Sequence, residues 1–305
     1  MKIVILDGYT VNPGDLSWEA LEAICDVTVY DETPADKIVE RMGDAEILMT
    51  SKNFITREVM EACPNLKYIG SLATGYNNID IAAAKDLGIA VTNIPAYSTD
   101  SVAQHVFALI LELCNHVALH NTSVQAGNWS NCKDFCYWEK PVVLLKGKSL
   151  GIIGYGQIGS RVAEIAKAFG MEINIYSRDR EAAVKSDFVS LHCPLTTENA
   201  KMINAEFIEE MKEGAVLINT ARGGLLDEQA VAEALKSGRL AAAAVDVASV
   251  EPIPVDSPLL GLENCILTPH IAWSPKEMRM IICETLATNL NSWLQGGTQN
   301  RVDLI

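Results

Sequence analysis

Short apolar runs punctuate the chain from its first residues. Residues 3–6, 27–30, 47–50, 68–72 and 90–92 alternate with stretches of helical spacing, a rhythm that predicts a parallel sheet with helices on both faces. A second series starts at Ser149 and continues through residues 173–176, 188–192, 215–219, 243–247 and 265–268. Between the two, Val102, Val106, Leu109, Ile110 and Leu113 recur at helical intervals after a Ser-Thr-Asp start. That spacing predicts one long helix over residues 100–120. The following segment, 127–148, mixes Trp129, Phe135, Tyr137 and Trp138 with polar residues and reads as an ordered aromatic loop. A last helical stretch, 276–294, has no strand after it and is expected to return to the first sheet. The fold class is therefore α/β, with two doubly wound parallel sheets.

Composition narrows the partners. A chain of 305 residues with 49% hydrophobic residues can bury two domain cores. A net charge of -15 repels polyanions, so neither nucleic acid nor an anionic membrane surface is an expected partner. An anionic small molecule would need a local positive site. Apolar residues at the N-terminus stop at Asp7, too early for a signal sequence, and a cytoplasmic protein is expected. The eight cysteines are scattered, many in apolar runs such as those of Cys114, Cys265 and Cys283, and read as buried free thiols. Cys132 and Cys136 form the one close pair, without the second pair or histidine that zinc requires, so no metal is expected.

Gly154-Tyr155-Gly156-Gln157-Ile158-Gly159 lies between an apolar strand and a helix-like run. In that setting Gly154 permits a tight turn, Gly156 lets the backbone approach a pyrophosphate, and Gly159 allows strand and helix to pack closely. The position about twenty residues on, where an acid would hold ribose hydroxyls, is Ser177. Arg178 and Arg180 follow, and a guanidinium pairs with a 2′-phosphate where a carboxylate repels it. NADP is thus favoured over NAD, although Asp179 keeps NAD open.

Three further segments lie at strand ends: Asn219-Thr220-Ala221-Arg222-Gly223-Gly224, Asp246 to Pro252 with Glu251, and Thr268-Pro269-His270-Ile271-Ala272-Trp273. Keto acid reduction needs an anchor for the carboxylate, a proton donor for the ketone and a fixed hydride donor. Arg222, His270 with Glu251 as its acidic partner, and a nicotinamide supply these in turn. Taken singly, each residue has a plainer reading, as a surface ion pair, a turn residue or a loop histidine; together they do not.

On these segments, and on Leu72-Ala73-Thr74-Gly75-Tyr76-Asn77, Asn93 to Ser98 and His192-Cys193-Pro194-Leu195-Thr196, the chain resembles the D-isomer-specific 2-hydroxy acid dehydrogenases over essentially its full length. The opening Leu6 to Thr10 and the His270 to Trp273 segment are most similar to the glycerate dehydrogenase, or hydroxypyruvate reductase, branch. The resemblance implies a Rossmann NAD(P) domain at residues 100–282 and a discontinuous flavodoxin-like substrate domain at 1–99 and 283–305. It implies that the N–H groups of Ala73, Thr74 and Gly75 bind the substrate carboxylate. Cys193, Pro194, Thr220, Ala221, Asp246 and Ala272 would line the cofactor with the glycine loop, Ser177 and Arg178. A homodimer built around residues 100–120 is also implied, with Trp138 reaching the partner's substrate pocket. His105, His116 and His120 read as surface or interface residues, and His192 as a cofactor neighbour without chemistry.

The chain departs from the family pattern in one place. Only the eleven residues 177–187 separate two strands where relatives place a helix and a further strand, so an edge strand is expected to be missing. Eleven residues reach about 36 Å extended and about 16 Å as helix. Three other functions share parts of the pattern. A formate dehydrogenase needs no proton donor, a methyltransferase leaves Arg222, Glu251 and His270 without a role, and a nucleotide-sensing corepressor would carry peptide-binding additions or long tails.

Overall fold

In the computed structural model, which describes residues 1–304, the first apolar runs form β1 (Lys2–Ile5), β2 (Asp26–Val29), β3 (Ile47–Thr50), β4 (Tyr68–Ser71) and β5 (Ala90–Thr92). They pair in parallel in the order β2-β1-β3-β4-β5, the flavodoxin-like winding. β3 and β4 are buried throughout, which is why they read as unbroken apolar runs rather than alternating ones. This unit comprises Met1–Tyr97 and Ser274–Ile305. The chain re-enters it ahead of residue 283 because the whole helix Lys276–Leu294 belongs here. Leu286 and Leu290 of that helix are buried, Trp293 packs on Tyr68 with ring centroids 5.0 Å apart, and Asn289 donates to the Asn93 carbonyl at 3.0 Å.

The second unit, Ser98–Trp273, holds β6 (Ser149–Ile153), β7 (Glu172–Ile175), β8 (Phe188–Leu191), β9 (Ala215–Asn219), β10 (Leu240–Val245) and β11 (Cys265–Leu267). Their order is β11-β10-β9-β8-β6-β7, all parallel. This is the doubly wound dinucleotide-binding order with its third strand absent, so β7 is the edge. Residues 176–187 are near the shortest length that carries a parallel crossover. They manage it with one short helix, Arg180–Val184, capped by the Asp179 carboxylate accepting from Ala182 N–H at 3.0 Å. The helix lies directly on β6: a Cβ at Gly151 would stand 2.0 Å from the Ala183 carbonyl oxygen.

The long helix expected over residues 100–120 is two helices. α1 (Thr99–Asn115) ends at His116, whose φ of 49° is left-handed, and α2 (Val117–Gln125) leaves at a 54° bend. The Glu112 carboxylate accepts from the Ala118 N–H at 3.2 Å, satisfying one of the amides that the start of α2 leaves without an intrahelical partner. Apolar spacing continues across the break and so hides it from the sequence. The stripe of α1 faces its own unit, where Ala103, Val106, Phe107 and Ile110 pack with Leu150, Ile152 and Val162. Among the described residues no single helix is long and apolar enough to cross a membrane.

Several strands stop one or two residues before their apolar runs do. His192, Asp246 and Thr268 therefore lie just past the C-terminal ends of β8, β10 and β11, the edge where open α/β sheets place their ligands.

Candidate active site

The glycine loop sits at the switch point, where β6 has β7 on one side and β8 on the other. Gly154 has φ 100°, and a Cβ there would meet Cys193 N at 2.4 Å; one at Gly159 would meet the Gly154 carbonyl oxygen at 2.1 Å. These two glycines allow backbone contact. Gly156 differs, since nothing lies within 4 Å of its Cβ direction. It also opens α3 (Gln157–Ala168), whose N-terminus carries no side-chain cap and presents N–H groups and the positive end of the helix dipole to open space. Two strands away, just past the end of β9, Thr220 Oγ1 is buried without a hydrogen-bond partner among the described residues. A buried hydroxyl is rarely left so. Open space over Gly156, an uncapped helix and an orphaned hydroxyl fit a dinucleotide.

Beside the edge strand, Ser177 and Arg178 are exposed. The Arg178 guanidinium stands 5.4 Å from the Tyr155 ring centre and has no ion pair among the described residues. Arg180 is otherwise engaged: it bonds the Glu210 carboxylate at 2.5 Å and the Tyr176 hydroxyl at 3.1 Å. The Asp179 carboxylate is held by its helix cap. Of the charged groups read as ribose partners, Arg178 alone is uncommitted.

Arg222, Glu251 and His270 line one hollow of about 240 Å³, walled by Leu195 and Ala248. Each is held from behind. The wholly buried Asn219 accepts from Ala221 N–H at 3.0 Å and donates to the Arg222 carbonyl at 2.9 Å, so its side chain shapes the turn that carries Arg222. A Cβ at Gly223 would lie 1.9 Å from the Ala248 carbonyl carbon; the loops of Arg222 and Glu251 touch only because residue 223 is glycine. Glu251 receives the Ala248 N–H at 2.9 Å on one oxygen and faces His270 Nδ1 at 2.7 Å on the other. Burial raises the Glu251 pKa, but the His270 hydrogen bond and charge and the Ala248 N–H outweigh it, and the net shift is downward. The charged carboxylate is therefore favoured, and it engages Nδ1 of the His270 ring rather than Nε2.

His270 has φ 55°, a conformation that costs a side-chain-bearing residue about 1–2 kcal/mol. Its surroundings fix it there. The His270 N–H donates to the Thr268 carbonyl at 3.0 Å, and the buried Asp246 accepts from Ile271 N–H and Ala272 N–H, both at 2.9 Å, and from Thr268 Oγ1 at 2.6 Å. Burial pushes the Asp246 carboxyl up, yet hydrogen bonds from His105, Thr268 and these amides bring it below its ordinary value. His105 is thus no surface residue: its Nε2 stands 3.0 Å from Thr268 Oγ1. Sequence spacing gave His105 no such role because its partner lies 163 residues away, and gave Asn219 none although its partners lie two and three residues on.

In the first unit, the Ala73 N–H points at Ser71 Oγ, 3.3 Å away. No acceptor among the described residues takes the N–H of Thr74 or Gly75. Asn93 donates to the Thr74 carbonyl at 2.8 Å. Trp138 lies in the second unit but does not line the hollow of Arg222. It borders another hollow, about 340 Å³, with Trp129, Tyr137 and His120. Burial pushes the His192 imidazole down to about 4, so at neutral pH it is uncharged and no proton donor. The cysteines are free. Cys114 and Cys283 are buried as expected, whereas Cys265 is half-buried and Cys136 exposed. No group of three or more metal-ligating side chains exists among the described residues.

The family described as D-isomer specific 2-hydroxyacid dehydrogenase, NAD binding domain, matches residues 107–272. Hydroxypyruvate reductase of Blautia hydrogenotrophica is 46% identical over 99% of this chain and 100% of its own. That alignment spans 321 positions against 305 residues here, so the relative has at least 16 residues without a counterpart. Glycerate dehydrogenase of Methylorubrum extorquens is 40% identical over 90% of this chain and 91% of its own. Among solved structures, D-lactate dehydrogenase from Aquifex aeolicus, complexed with NAD and lactic acid, superposes with a TM-score of 0.83 at 30% identity, covering 99% of both chains.

Proposed function

The chain belongs to the D-isomer specific 2-hydroxyacid dehydrogenase family, and from that membership we propose that it reduces a small 2-keto acid of the hydroxypyruvate or glyoxylate type to the D-2-hydroxy acid, reversibly, with NAD(P)H. The observation that carries this reading is the pairing of His270 Nδ1 with Glu251 at 2.7 Å in the hollow that also holds Arg222.

Arg222 holds the substrate carboxylate in a guanidinium fork. Bound nicotinamide supplies hydride to the keto carbon. His270 Nε2 gives its proton to the keto oxygen, which would otherwise leave as a costly alkoxide. Glu251 holds the ring and favours its protonated form. Gly154, Gly156, Gln157, Ile158 and Gly159 hold the pyrophosphate. Cys193, Pro194, Thr220, Ala221, Asp246 and Ala272 line the rest of the cofactor site. Ser177 and Arg178 favour a 2′-phosphate, and NADPH is the proposed cofactor over NADH. The cytoplasm, where nicotinamide pools and free thiols coexist, is the proposed compartment.

A panel of hydroxypyruvate, glyoxylate, pyruvate and bulkier 2-keto acids, each with NADH and NADPH and followed by absorbance loss, tests the reading. Turnover of the small acids, faster with NADPH at low cofactor, is expected. Failure with every acid refutes the activity, and a preference for NADH refutes the role of Arg178.

Arg222→Lys should bind cofactor normally while raising KM and lowering kcat, because a point charge cannot reproduce a two-pronged grip. Kinetics equal to wild type would remove Arg222 from the substrate. Glu251→Gln keeps the shape and loses the charge. Since reduction needs a protonated imidazole, its alkaline limit at saturating cofactor should move to lower pH; an unmoved limit, or one moved upward, would separate Glu251 from His270.

A homodimer is also part of the proposal. Its apolar surface is not the stripe of α1, which is buried in its own unit. It is Val117, Trp129, Phe135, Trp138 and Leu144, all more than half exposed. We place Trp138 at the substrate pocket of a second copy. Sedimentation should give twice the 33.1 kDa chain mass; a concentration-independent single mass would refute the pairing.

A further inference from the structure

The loop carrying His270 is held by a polar chain that starts on α1. Thr268 Oγ1 has one proton, and the 2.6 Å contact assigns it to Asp246 Oδ1, since an ionised carboxylate can only accept. The 3.0 Å contact between His105 Nε2 and the same hydroxyl then requires His105 to be the donor, so its proton is on Nε2. That nitrogen also stands 3.5 Å from Asp246 Oδ1. Asp246 in turn takes the two amides that follow His270, and the Thr268 carbonyl takes the amide of His270 itself. A left-handed residue is therefore tied on one side to the Thr268 carbonyl and on the other to a buried carboxylate, and among the described residues the side-chain donor to the Thr268 hydroxyl is His105.

We propose that His105 is a positioning residue for His270, acting through Thr268 and Asp246 on the backbone turn that aims the imidazole. Its role in turnover rests on the keto acid reductase reading. His105 does not touch substrate; it fixes the direction from which the proton is delivered. Removing it takes away the donor that fixes the Thr268 hydroxyl from the side of α1, loosening the Thr268–Asp246 pair and letting the turn at residue 270 relax from φ 55°. Gln, whose amide N–H reaches about as far as the imidazole Nε2–H, should replace it.

The test is a cycle of His105→Ala and His270→Gln, with His105→Gln as the rescue and Thr268→Val as a second break in the chain. With hydroxypyruvate and saturating cofactor, His105→Ala should lower kcat about tenfold or more while the Kd for cofactor, from fluorescence quenching, changes less than twofold. His105→Gln should recover most of the rate, and Thr268→Val should lose rate as His105→Ala does. In the His270→Gln background, His105→Ala should have almost no further effect, because the group it aims is gone. Losses that multiply in the double variant, or a cofactor Kd that worsens in step with kcat, would overturn the proposal. Should His105→Ala fail to fold, Thr268→Val carries the same cycle. If wild type reduces no keto acid, ring signals in a histidine-labelled NMR spectrum, assigned with His270→Gln, still decide. His270 must shift or broaden in His105→Ala and return in His105→Gln; an unmoved His270 signal overturns the proposal whatever the substrate.

Discussion

Replacing His270 with Gln should lower kcat for ketone reduction by roughly a hundredfold or more, the cost of removing a positioned general acid, while leaving cofactor affinity nearly intact. The imidazole is the group in the hollow that can carry a transferable proton on Nε2, since Nδ1 is committed to Glu251 at 2.7 Å. Gln can keep a hydrogen bond to the carboxylate but has no acidic proton to transfer. The glycine-loop end of the cofactor site is untouched: Gly154 and Gly156 lie between β6 and α3, Gly159 on α3 and Thr220 just past β9, all far from residue 270 in the chain. Single-turnover absorbance with prebound cofactor isolates the chemical step. A rate within fivefold of wild type would take the proton transfer away from His270.

The second large effect concerns folding and separates two glycines of the same strand and loop. Gly151→Ala should destabilise the second unit by about 3 kcal/mol, the upper range for overpacking a core, and lower its melting temperature by roughly 6–12 °C. The added carbon would sit 2.0 Å from the Ala183 carbonyl oxygen and 2.8 Å from its carbon, both backbone, so the helix Arg180–Val184 must lift from β6. With residues 176–187 so short, that helix has little slack, and lifting it pulls on Asn174, whose amide bonds Ala182 and Ser186. Gly156→Ala, with nothing within 4 Å, should melt like wild type yet bind cofactor less well, because the methyl group enters the space proposed for the pyrophosphate. Equal melting temperatures for Gly151→Ala and wild type would mean that the crossover does not lie on β6 as described.

The strands and the cofactor loop were legible because each is written in short-range pattern, while the two winding orders came with the family resemblance. A buried parallel strand is a run of adjacent apolar residues, and a strand–glycine–helix signature occupies six consecutive positions. The proposed catalytic trio was legible for a different reason: Arg222, Glu251 and His270 lie in the segments that follow such strands, so finding β9, β10 and β11 also located the candidates. The resemblance to a known family then supplied roles that spacing alone could not.

What the tertiary structure decided was the choice of partner. Helical spacing described α1 and α2 as one element because apolar period survives a bend, and it is the left-handed His116 that separates them. Arg178 and Arg180 are indistinguishable as neighbours in sequence, yet Glu210, thirty residues on, engages one and leaves the other. His105 read as a surface or interface residue, and a hydroxyl 163 residues away made it a half-buried donor. Local pattern records which face of an element avoids water, a property each residue carries with it. Which polar group a side chain meets depends on where distant segments arrive, and that is settled only when the cores close.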